Sequence, residues 1–358
     1  MSIVRYAIIG FGGISQDRIA PEGFALDKKR FSPHKNAVLV AATSHSPSRQ
    51  QIVEKLGLKW YPSVESLLSA SDIDAIFIGT NNATHYDIAK QCLNAGKHVI
   101  LEKPMTISVP EAEELVKLAA SKNLSLAIDH MMIYNAYNIK AAELVKNGSL
   151  GHVNDSCFHM EFGLAVDSKT VNEWRCASAD DCGGPIGDLA SHCMYTAEFV
   201  LDSQITELAC VYYPKTTKSA VEDGAYIKYT LENGKTGSVK VAFNEPRGCF
   251  DAIISNMGYE IYGDKAVLRT YGTLFQLSGH PDEPQKLRLE IEHFDKKKDN
   301  IEHVQPGTIQ NIYAAVIVRH ADSVINNKRL DGSDGLHSMK LIEACRKSAA
   351  NGGQIVKI

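Results

Sequence analysis

The 358-residue sequence lacks the features that mark membrane, disulfide-rich and nucleic-acid-binding proteins. No uncharged apolar run approaches the roughly 20 residues that a membrane-spanning helix needs. The eight cysteines form no CxxC pair and are too dilute for a disulfide framework, which favours reduced thiols. With 38 basic and 42 acidic side chains the net charge is −4, so we expect neither nucleic acid nor an anionic membrane as the main partner.

The first residues also lack a targeting signal. Met1–Arg5 leads directly into an apolar run, without a basic segment before it or a small-residue cleavage site. We therefore expect a soluble, cytoplasmic protein. A hydrophobic content of 44% is ordinary for a globular chain, and the length suggests about two domains.

Short apolar runs alternate with amphipathic segments over the first 130 residues. Strands are predicted at Val4–Ile9, Ala37–Ala42, Ala75–Gly79, His98–Leu101 and Leu124–Ile128. Helices are predicted at Ser48–Leu56, Ser63–Ala70, His85–Ala95 and Val109–Ser121. This alternation predicts an α/β fold with a doubly wound parallel sheet, the sheet of a Rossmann domain, over residues 1–130.

The pattern changes after residue 130, where strand candidates follow one another. After a helix at Ala136–Lys146, strands are predicted at Val153–Phe162, Gln204–Tyr213, Ala225–Leu231, Thr236–Phe243, Tyr259–Tyr262 and Ala266–Thr270. Asn233-Gly234 is a strong hairpin signal. We interpret His280–Pro306, with its Lys296–Lys298 run, as a solvated loop, before closing helices at Ile309–Ile325 and Gly335–Ala349. Residues 131–358 are thus predicted to form an α+β domain with a largely antiparallel sheet, whose closing helices over residues 309–349 can pack back on the first domain.

A glycine-rich turn follows the first predicted strand immediately. Gly10, Gly12 and Gly13, followed by Ile14, permit a tight turn and a close approach of the backbone to a pyrophosphate at a helix N-terminus. The third position of the dinucleotide fingerprint is Ser15 rather than glycine. Such a loop could also be an ordinary strand–helix turn, but its place in a repeated βαβ pattern favours dinucleotide binding.

No acidic residue follows the second predicted strand. An enzyme that binds NAD usually has a carboxylate there for the ribose 2′-hydroxyl, and a carboxylate would repel the 2′-phosphate of NADP. This chain instead has hydroxyl side chains, His45 and Arg49, and a guanidinium can bind a phosphate bidentately. NADP(H) is therefore favoured over NAD(H), with Ser44 and Arg49 as principal contacts and His45 beside them. A polar loop that caps the next helix is an alternative compatible with this role.

Further candidate residues follow the third and fourth predicted strands. Thr80, Asn82 and His85 follow one strand, and Glu102 and Lys103 follow the next. Doubly wound sheets bind ligands at these carboxyl ends. A lysine at the end of a buried strand needs a partner or a function to offset its desolvation.

The third group of candidates lies in the predicted second domain. Trp174 and Arg175 precede a glycine-rich segment that leads to Asp188 and His192. A spacing of four places Asp188 and His192 on one face of a helix. Alone, Asp188 could begin a helix and His192 could be a core histidine. Together on one face, after a glycine-rich segment, they favour a catalytic function.

In order and spacing, these motifs resemble the glucose–fructose oxidoreductase/inositol dehydrogenase (Gfo/Idh/MocA) family over essentially the whole chain. The resemblance rests on the glycine turn, the TNNATH and EKP segments, the Trp-Arg pair, the Asp-x-x-x-His helix, Val221–Asp223 and the YEIYGDKAVL segment. The serine-rich stretch after the second strand and the IDHMMIYNAYN stretch resemble NADPH-dependent 1,5-anhydrofructose reductases most. Ser15 and Cys182 depart from the family's usual small residue and third glycine.

The resemblance implies an oxidoreductase that transfers a hydride between nicotinamide and a sugar, sugar-derived ketone or polyol. His192 would be the general acid/base, Asp188 would orient the substrate, and Lys103 would lie near the reacting oxygen. The cleft for the cofactor and the substrate would be lined by Asn82, His85, Trp174 and Arg175. The second domain would also mediate a homodimer or homotetramer.

Three other functions remain open from the sequence. A zinc enzyme could use Cys176, Cys182, His192 and Cys193, although their spacing fits no short metal-binding motif, and no metal site is expected. A dinucleotide-binding sensor without turnover would not need Lys103, Asp188 and His192. An NAD-dependent glycosidase would use hydride transfer only transiently and would show no net cofactor reduction.

Overall fold

The computed structural model describes residues 2–167, 169–245, 257–272, 287–295, 297, 300–307 and 310–358. The chain folds into two compact units. The first comprises Met1–Met131 and Asn311–Met339, and the second comprises Met132–Gln310 and Lys340–Ile358. The segment Asn311–Met339 near the C-terminus thus belongs to the same unit as Met1–Met131.

The first unit contains a parallel sheet of six strands in the described part of the chain. Its strands are β1 Val4–Ile9, β2 Ala37–Thr43, β3 Lys59–Trp60, β4 Ala75–Ile78, β5 His98–Leu101 and β6 Leu126–Ile128. Their spatial order is β3-β2-β1-β4-β5-β6, which is the doubly wound Rossmann order. Every residue of β4 is buried, as expected for a strand covered on both faces. The predicted parallel sheet is confirmed, and the order reverses between β1 and β4, where such sheets bind ligands.

The second unit contains a sheet of nine described strands, most of them antiparallel. They are β7 Val153–Glu161, β8 Ile205–Tyr212, β9 Gly224–Leu231, β10 Thr236–Ala242, β11 Met257–Gly263, β12 Ala266–Gly272, β13 Arg288–His293, β14 Ile301–His303 and β15 Val356–Lys357. Their order is β14-β13-β12-β11-β7-β10-β9-β8-β15, and β7 and β10 run parallel. The predicted β9–β10 hairpin is confirmed, with Gly234 at φ +80° in its turn.

The helices agree closely with the sequence pattern. They are α1 Gln50–Lys55, α2 Val64–Leu68, α3 His85–Asn94, α4 Val109–Ser121, α5 Ala136–Lys146, α6 Trp174–Ala177, α7 Ser191–Leu201, α8 Ile312–Ile325 and α9 Ser333–Ala350. π-Helical segments cover Ser15–Gly23 and Ile186–Ala190, and 3₁₀ turns cover Pro47–Arg49, Asn82–Thr84 and Met131–Tyr134. Across the described ranges no helix is long and apolar enough to span a bilayer.

The interpretation of His280–Pro306 as a loop is wrong for part of that segment. Strands β13 and β14 lie within it, and β13 pairs with β12. Leu289 and Ile291 are buried at alternate positions, and this two-residue period was outweighed in the sequence by the surrounding charges. Lys296 and Lys298 lie outside the described residues.

A buried polar network ties α8 to the sheet of the first unit. The Tyr6 hydroxyl on β1 lies 2.7 Å from His320 Nδ1 on α8, and the hydroxyls of Ser125 and Ser323 lie 2.7 Å apart. Tyr6 and His320 are both fully buried. Burial lowers the pKa of His320 to about 3, so its imidazole is neutral at pH 7.

His320→Gln is expected to change how the free energy of unfolding depends on pH between pH 6 and pH 4. The unfolded chain protonates this histidine near pH ~6.5, whereas the folded protein does so only near its lowered pKa of about 3. Within that window the histidine therefore removes about 1.4 kcal/mol of unfolding free energy for each pH unit of acidification. Urea unfolding of both proteins at four pH values would measure the two slopes.

The difference between the two slopes isolates one group. Burial raises the pKa of Asp129 and of Glu222, so these carboxyls stabilise the folded state as the pH falls and oppose the histidine. They titrate in both proteins and cancel in the comparison. Equal slopes for His320→Gln and the unaltered chain would contradict a neutral, buried His320.

Candidate dinucleotide and substrate sites

The glycine turn lies at the point where the strand order of the first unit reverses. Gly10 has φ +92°, and a Cβ there would lie 2.6 Å from Thr80 Cγ2, so glycine is required. A Cβ at Gly12 or Gly13 would meet no described atom within 4 Å. This open space adjoins the start of the Ser15–Gly23 helical segment, whose first N–H groups have no acceptor within the helix. The backbone at this turn therefore fits a dinucleotide pyrophosphate.

Ser15 occupies the third position of the fingerprint and packs tightly. Its side chain is fully buried, and its hydroxyl has no hydrogen-bond partner among the described residues. A Cβ at Gly79, just after β4, would collide with that hydroxyl. A small residue at position 15 therefore allows the same close packing of helix and strand as glycine would.

The residues after β2 form a polar surface beside the glycine turn. The Thr43 carbonyl accepts the N–H groups of Gly10 and Phe11, at 3.0 and 3.3 Å. Arg49 Nη1 donates to Gln16 Oε1 at 2.5 Å. Gln16 was missed in the sequence, although it directly follows the glycine fingerprint.

The hydroxyl and imidazole side chains of this surface differ in exposure. Ser44 is half-buried, whereas His45 is exposed. The hydroxyls of Ser46 and Ser48 lie 2.8 Å apart. A cation with neighbouring hydroxyl groups can hold a 2′-phosphate.

His85 is fully buried between the loops that follow β4 and β5. Its Nδ1 lies 2.9 Å from the Pro104 carbonyl, and its Nε2 lies 3.3 Å from the Thr80 carbonyl. Burial lowers the pKa of His85 to about 4, so the ring is neutral at pH 7. The ring ties the two loops together. Asn82, beside it, is also buried.

Two buried carboxyl groups lie near Lys103 at the ends of β5 and β6. The Lys103 N–H donates to Glu102 Oε2 at 3.2 Å, and Glu102 is 9% exposed. Asp129 is 1% exposed. Its burial, and next the Glu102 carboxyl, raise the pKa of Asp129 well above its usual range, while the Lys103 charge opposes this. Asp129 was not among the sequence candidates, because its proximity to Glu102 depends on the pairing of β5 with β6.

In the second unit, Arg175 and Asp188 form an ion pair. Arg175 Nε lies 3.3 Å from Asp188 Oδ2, and the Arg175 guanidinium lies 4.5 Å from the centre of the Trp174 ring. Trp174 is 36% exposed, whereas Asp188 is 9% exposed. The structure therefore brings together residues that are 13 positions apart in the sequence.

Asp188 and His192 lie in one helical run, but its first part is π-helical rather than α-helical, which the sequence did not predict. Asp188 lies in the π-helical segment Ile186–Ala190, and α7 starts at Ser191. The Ile186 N–H at the start of that segment donates to Glu222 Oε1 at 2.9 Å. The half-buried Glu222 carboxyl thus holds the start of the π-helical turn that precedes His192.

His192 lies in the wall of a cavity within the second unit. The empty volume of the cavity, including its open mouth, is about 460 Å³. Its polar lining includes Asn135, Asn138, His159, Thr196 and Tyr259. His192 itself is 2% exposed, and its Nδ1 lies 2.6 Å from the Tyr195 hydroxyl.

Part of the cavity's polar lining is already hydrogen-bonded within the protein. The Tyr259 hydroxyl donates to Asn138 Oδ1 at 2.9 Å, which fixes both side chains. The Thr196 hydroxyl is buried and has no hydrogen-bond partner among the described residues.

Metal coordination receives no support from the described residues. Within them, no group of three or more His, Cys, Asp or Glu side chains is placed to hold an ion. The seven described cysteines are free thiols, and burial raises the pKa of Cys193 and of Cys176.

Comparison with known proteins identifies the family on both units. The family model described as "Oxidoreductase family, NAD-binding Rossmann fold" matches residues 4–130. The model described as "Oxidoreductase family, C-terminal alpha/beta domain" matches residues 142–358. Together these matches confirm the resemblance that the motifs indicate.

The individual relatives have low sequence identity to this chain, and their matches cover more than half of its length. A dTDP-3,4-didehydro-2,6-dideoxy-alpha-D-glucose 3-reductase of Streptomyces violaceoruber is 24% identical, over 97% of this chain and 95% of its own length. A 1,5-anhydro-D-fructose reductase of Ensifer adhaerens is 26% identical, over 58% of this chain and 59% of its own. The crystal structure of an inositol dehydrogenase homolog of Azotobacter vinelandii, complexed with NADH and myo-inositol, has a TM-score of 0.80 at 20% identity, covering 100% of this chain and 98% of that one. The fold and both family matches agree, and the chain therefore belongs to the Gfo/Idh/MocA family of oxidoreductases.

Proposed function

We propose that this chain is an NADP(H)-preferring oxidoreductase that interconverts a hydroxyl and a carbonyl group on a sugar, a sugar-derived ketone or a polyol. The observation that carries the proposal is the cavity of the second unit with His192 in its wall. Small-molecule sites are concave and carry a few well-placed polar groups, as this cavity does.

The lining of the cavity suits an uncharged ligand with many hydroxyl groups. Asn135, Asn138 and Tyr259 offer amide and hydroxyl groups, and the unpartnered Thr196 hydroxyl needs a hydrogen-bond partner. Sugar hydroxyls both donate and accept, so they can satisfy such groups. The names of the two reductase relatives point to the same substrate class.

The preference for NADP(H) rests on the surface after β2. Ser44 and Arg49 offer a hydroxyl and a cation, and the stretch from Thr43 to Arg49 contains no carboxylate to bind a free 2′-hydroxyl. Arg49 is already held by Gln16, which lies in the helical segment that follows the glycine turn. A guanidinium held in this way loses less conformational entropy when it binds a phosphate.

The proposed chemistry needs a proton carrier, an orienting group and a cation. His192 exchanges the proton with the substrate oxygen, because an imidazole titrates near neutral pH. Asp188, held by Arg175, accepts a hydrogen bond from a substrate hydroxyl and fixes its orientation. Lys103 stabilises negative charge on the reacting oxygen. The nicotinamide, when bound, supplies or accepts the hydride.

A screen of sugars and polyols at the nicotinamide absorbance band tests this function. Myo-inositol, aldoses and 1,5-anhydrofructose would each be incubated with the purified chain and NADP⁺, NAD⁺, NADPH or NADH. A net, stoichiometric change in reduced cofactor is expected for at least one compound. Hydrolysis of a glycoside without net cofactor reduction would show that the chain is a glycosidase instead. Dinucleotide binding without any turnover would show that it is a sensor.

Arg49→Ala is expected to raise the Kd for NADPH by about 10- to 100-fold, the loss of one charge-assisted hydrogen bond. The Kd for NADH should change much less, because NADH lacks the 2′-phosphate. Fluorescence titration of both cofactors measures the effect. Lys55→Ala is the control, since Lys55 is an exposed cation in the last turn of α1. Equal weakening of NADPH and NADH binding would show that Arg49 does not contact the 2′-phosphate.

We also propose that the chain forms a homodimer or homotetramer through its second domain. Val211 on β8 and Tyr226 on β9 are paired neighbours, and they are 54% and 58% exposed. Exposed apolar side chains on adjacent strands favour association. Sedimentation of the unaltered chain and of Tyr226→Glu tests this, with dissociation expected for the variant.

A further inference from the structure

Tyr195 contacts the ring of the proposed acid/base residue directly. Its hydroxyl lies 2.6 Å from His192 Nδ1, and the two rings meet edge to face with their centres 5.5 Å apart. His192 is 2% exposed and Tyr195 is 6% exposed, so water competes little for this contact. Both residues lie on α7, three positions apart, which places them on the same face of the helix.

The hydrogen bond made by one nitrogen of the His192 ring determines which protonation state the other nitrogen has. An imidazole has two nitrogens, and in its neutral form only one carries a proton. Because Nδ1 contacts Tyr195, the proton exchange with a substrate is assigned to Nε2. If the Tyr195 oxygen accepts the Nδ1 proton, the neutral ring keeps its lone pair on Nε2, where a general base needs it.

We propose that Tyr195 is a positioning residue for His192, whose hydroxyl holds the Nδ1 proton and so makes Nε2 the nitrogen that exchanges a proton with the substrate oxygen. The inference rests on the proposed function, because it assumes that His192 is the acid/base residue. It adds a residue that none of the sequence motifs includes.

The proton balance is the same in both directions. In reduction, the hydride adds to the carbonyl carbon, the π electrons move to the oxygen, and that oxygen takes the Nε2 proton of the imidazolium. The neutral ring that remains keeps its proton on Nδ1, donated to Tyr195, and water later restores the Nε2 proton. In oxidation, Nε2 takes the hydroxyl proton as the hydride leaves the carbon, and the same Nδ1–H persists.

Tyr195 is distinguished from the other groups near His192 by its position at the ring nitrogen. The titratable and charged side chains on the π-helical segment before α7, on α7 itself and around the cavity are Asp188, His192, Cys193, Tyr195, Glu198, Tyr137, His159, Tyr259, Tyr271 and Arg288. The His159 Nδ1 lies 2.8 Å from Glu161, and the Tyr259 hydroxyl is bonded to Asn138. Asp188 is paired with Arg175.

The tautomer of His192 can be measured without any substrate. The chain is labelled with ¹⁵N-histidine, and the His192 signals are assigned by their loss in His192→Gln. In the neutral form of the unaltered chain we expect a protonated Nδ1 and an unprotonated Nε2. A proton on Nε2 in that form would overturn the proposal.

Tyr195→Phe removes only the hydroxyl and keeps the ring contact. We expect a mixture of both His192 tautomers and a fall in kcat of about 10- to 100-fold, as when the partner that fixes a histidine ring is lost. The KM should change little, because the hydroxyl does not contact substrate. The His192-dependent limb of the pH–kcat profile should also move to lower pH, since the imidazolium loses an acceptor.

A matched variant separates the loss of a buried hydroxyl from the loss of this contact. Tyr229→Phe removes a buried hydroxyl that lies 2.7 Å from Ser156 Oγ, away from the cavity, and should leave kcat and its pH profile unchanged. If Tyr195→Phe behaves like Tyr229→Phe while His192→Ala abolishes turnover, only the inference about Tyr195 fails. If His192→Ala keeps its turnover, the proposed function fails.

Discussion

Lys103→Met is expected to reduce kcat by about 100- to 1,000-fold, the loss typical when one electrostatic contact to a developing oxyanion is removed. Methionine keeps the length of the side chain and removes the charge. Lys103 lies at the end of β5, next to the buried carboxyls of Glu102 and Asp129, where its charge is poorly screened by water. Steady-state kinetics with the best substrate from the sugar and polyol panel would measure the loss.

The control for Lys103→Met separates catalysis from binding and folding. NADPH should still bind within a few-fold of its original affinity, because the glycine turn and Arg49 are untouched. Lys122→Met removes an exposed cation at the end of α4 and should leave kcat unchanged. Full turnover in Lys103→Met would remove this lysine from the proposed chemistry, whereas loss of NADPH binding would point to a cofactor-binding role instead.

His192→Ala is expected to lower kcat by about 100- to 10,000-fold, the range for a lost general acid/base. The change removes the ring that Tyr195 holds in the cavity wall. The dependence of kcat on pH attributed to this ring should disappear with it. The measurement is a pH profile of kcat, with the NADPH affinity recorded for the same protein.

His152→Ala provides the comparison, because His152 is an exposed histidine of the second unit. Its kcat and pH profile should match those of the unaltered chain. A truncated side chain at position 192 also leaves a cavity, so thermal unfolding of both variants is recorded. A His192→Ala protein that folds, binds NADPH and retains its pH profile would rule out histidine as the proton carrier.

The sequence predicted the regular elements well because their signals are local. The α4 bounds Val109–Ser121 and the α5 bounds Ala136–Lys146 agree with the structure, as do the β1 and β5 bounds. The spacing of apolar residues and the helix-capping residues are signals that span only a few positions, so they can be recognised in a single sequence. The short β3 and β15 strands, of two residues each, were missed because such lengths show no period.

The positions of candidate site residues were predictable where they follow a strand. Gly10, Thr80 and Lys103 follow three neighbouring strands, and the doubly wound order brings those strand ends to one edge of the first unit. Tyr195 was missed although its signal was present, three positions from His192 on the predicted helix. Gln16 and Asp129 had no local signal, because Arg49 and Glu102 reach them only through folding.

By itself, the sequence determined the family, the parallel sheet of the first unit, the mostly antiparallel sheet of the second and the chemical types of the candidate site. Each depends on residue order, side-chain type or short-range period. Only the tertiary structure decided that β7 and β10 run parallel, that Arg175 pairs with Asp188 and that Tyr195 contacts His192 Nδ1. Strand partners, hydrogen-bond partners and burial arise from packing between segments, whether distant in the chain or one helical turn apart, and that packing also sets which groups stay neutral.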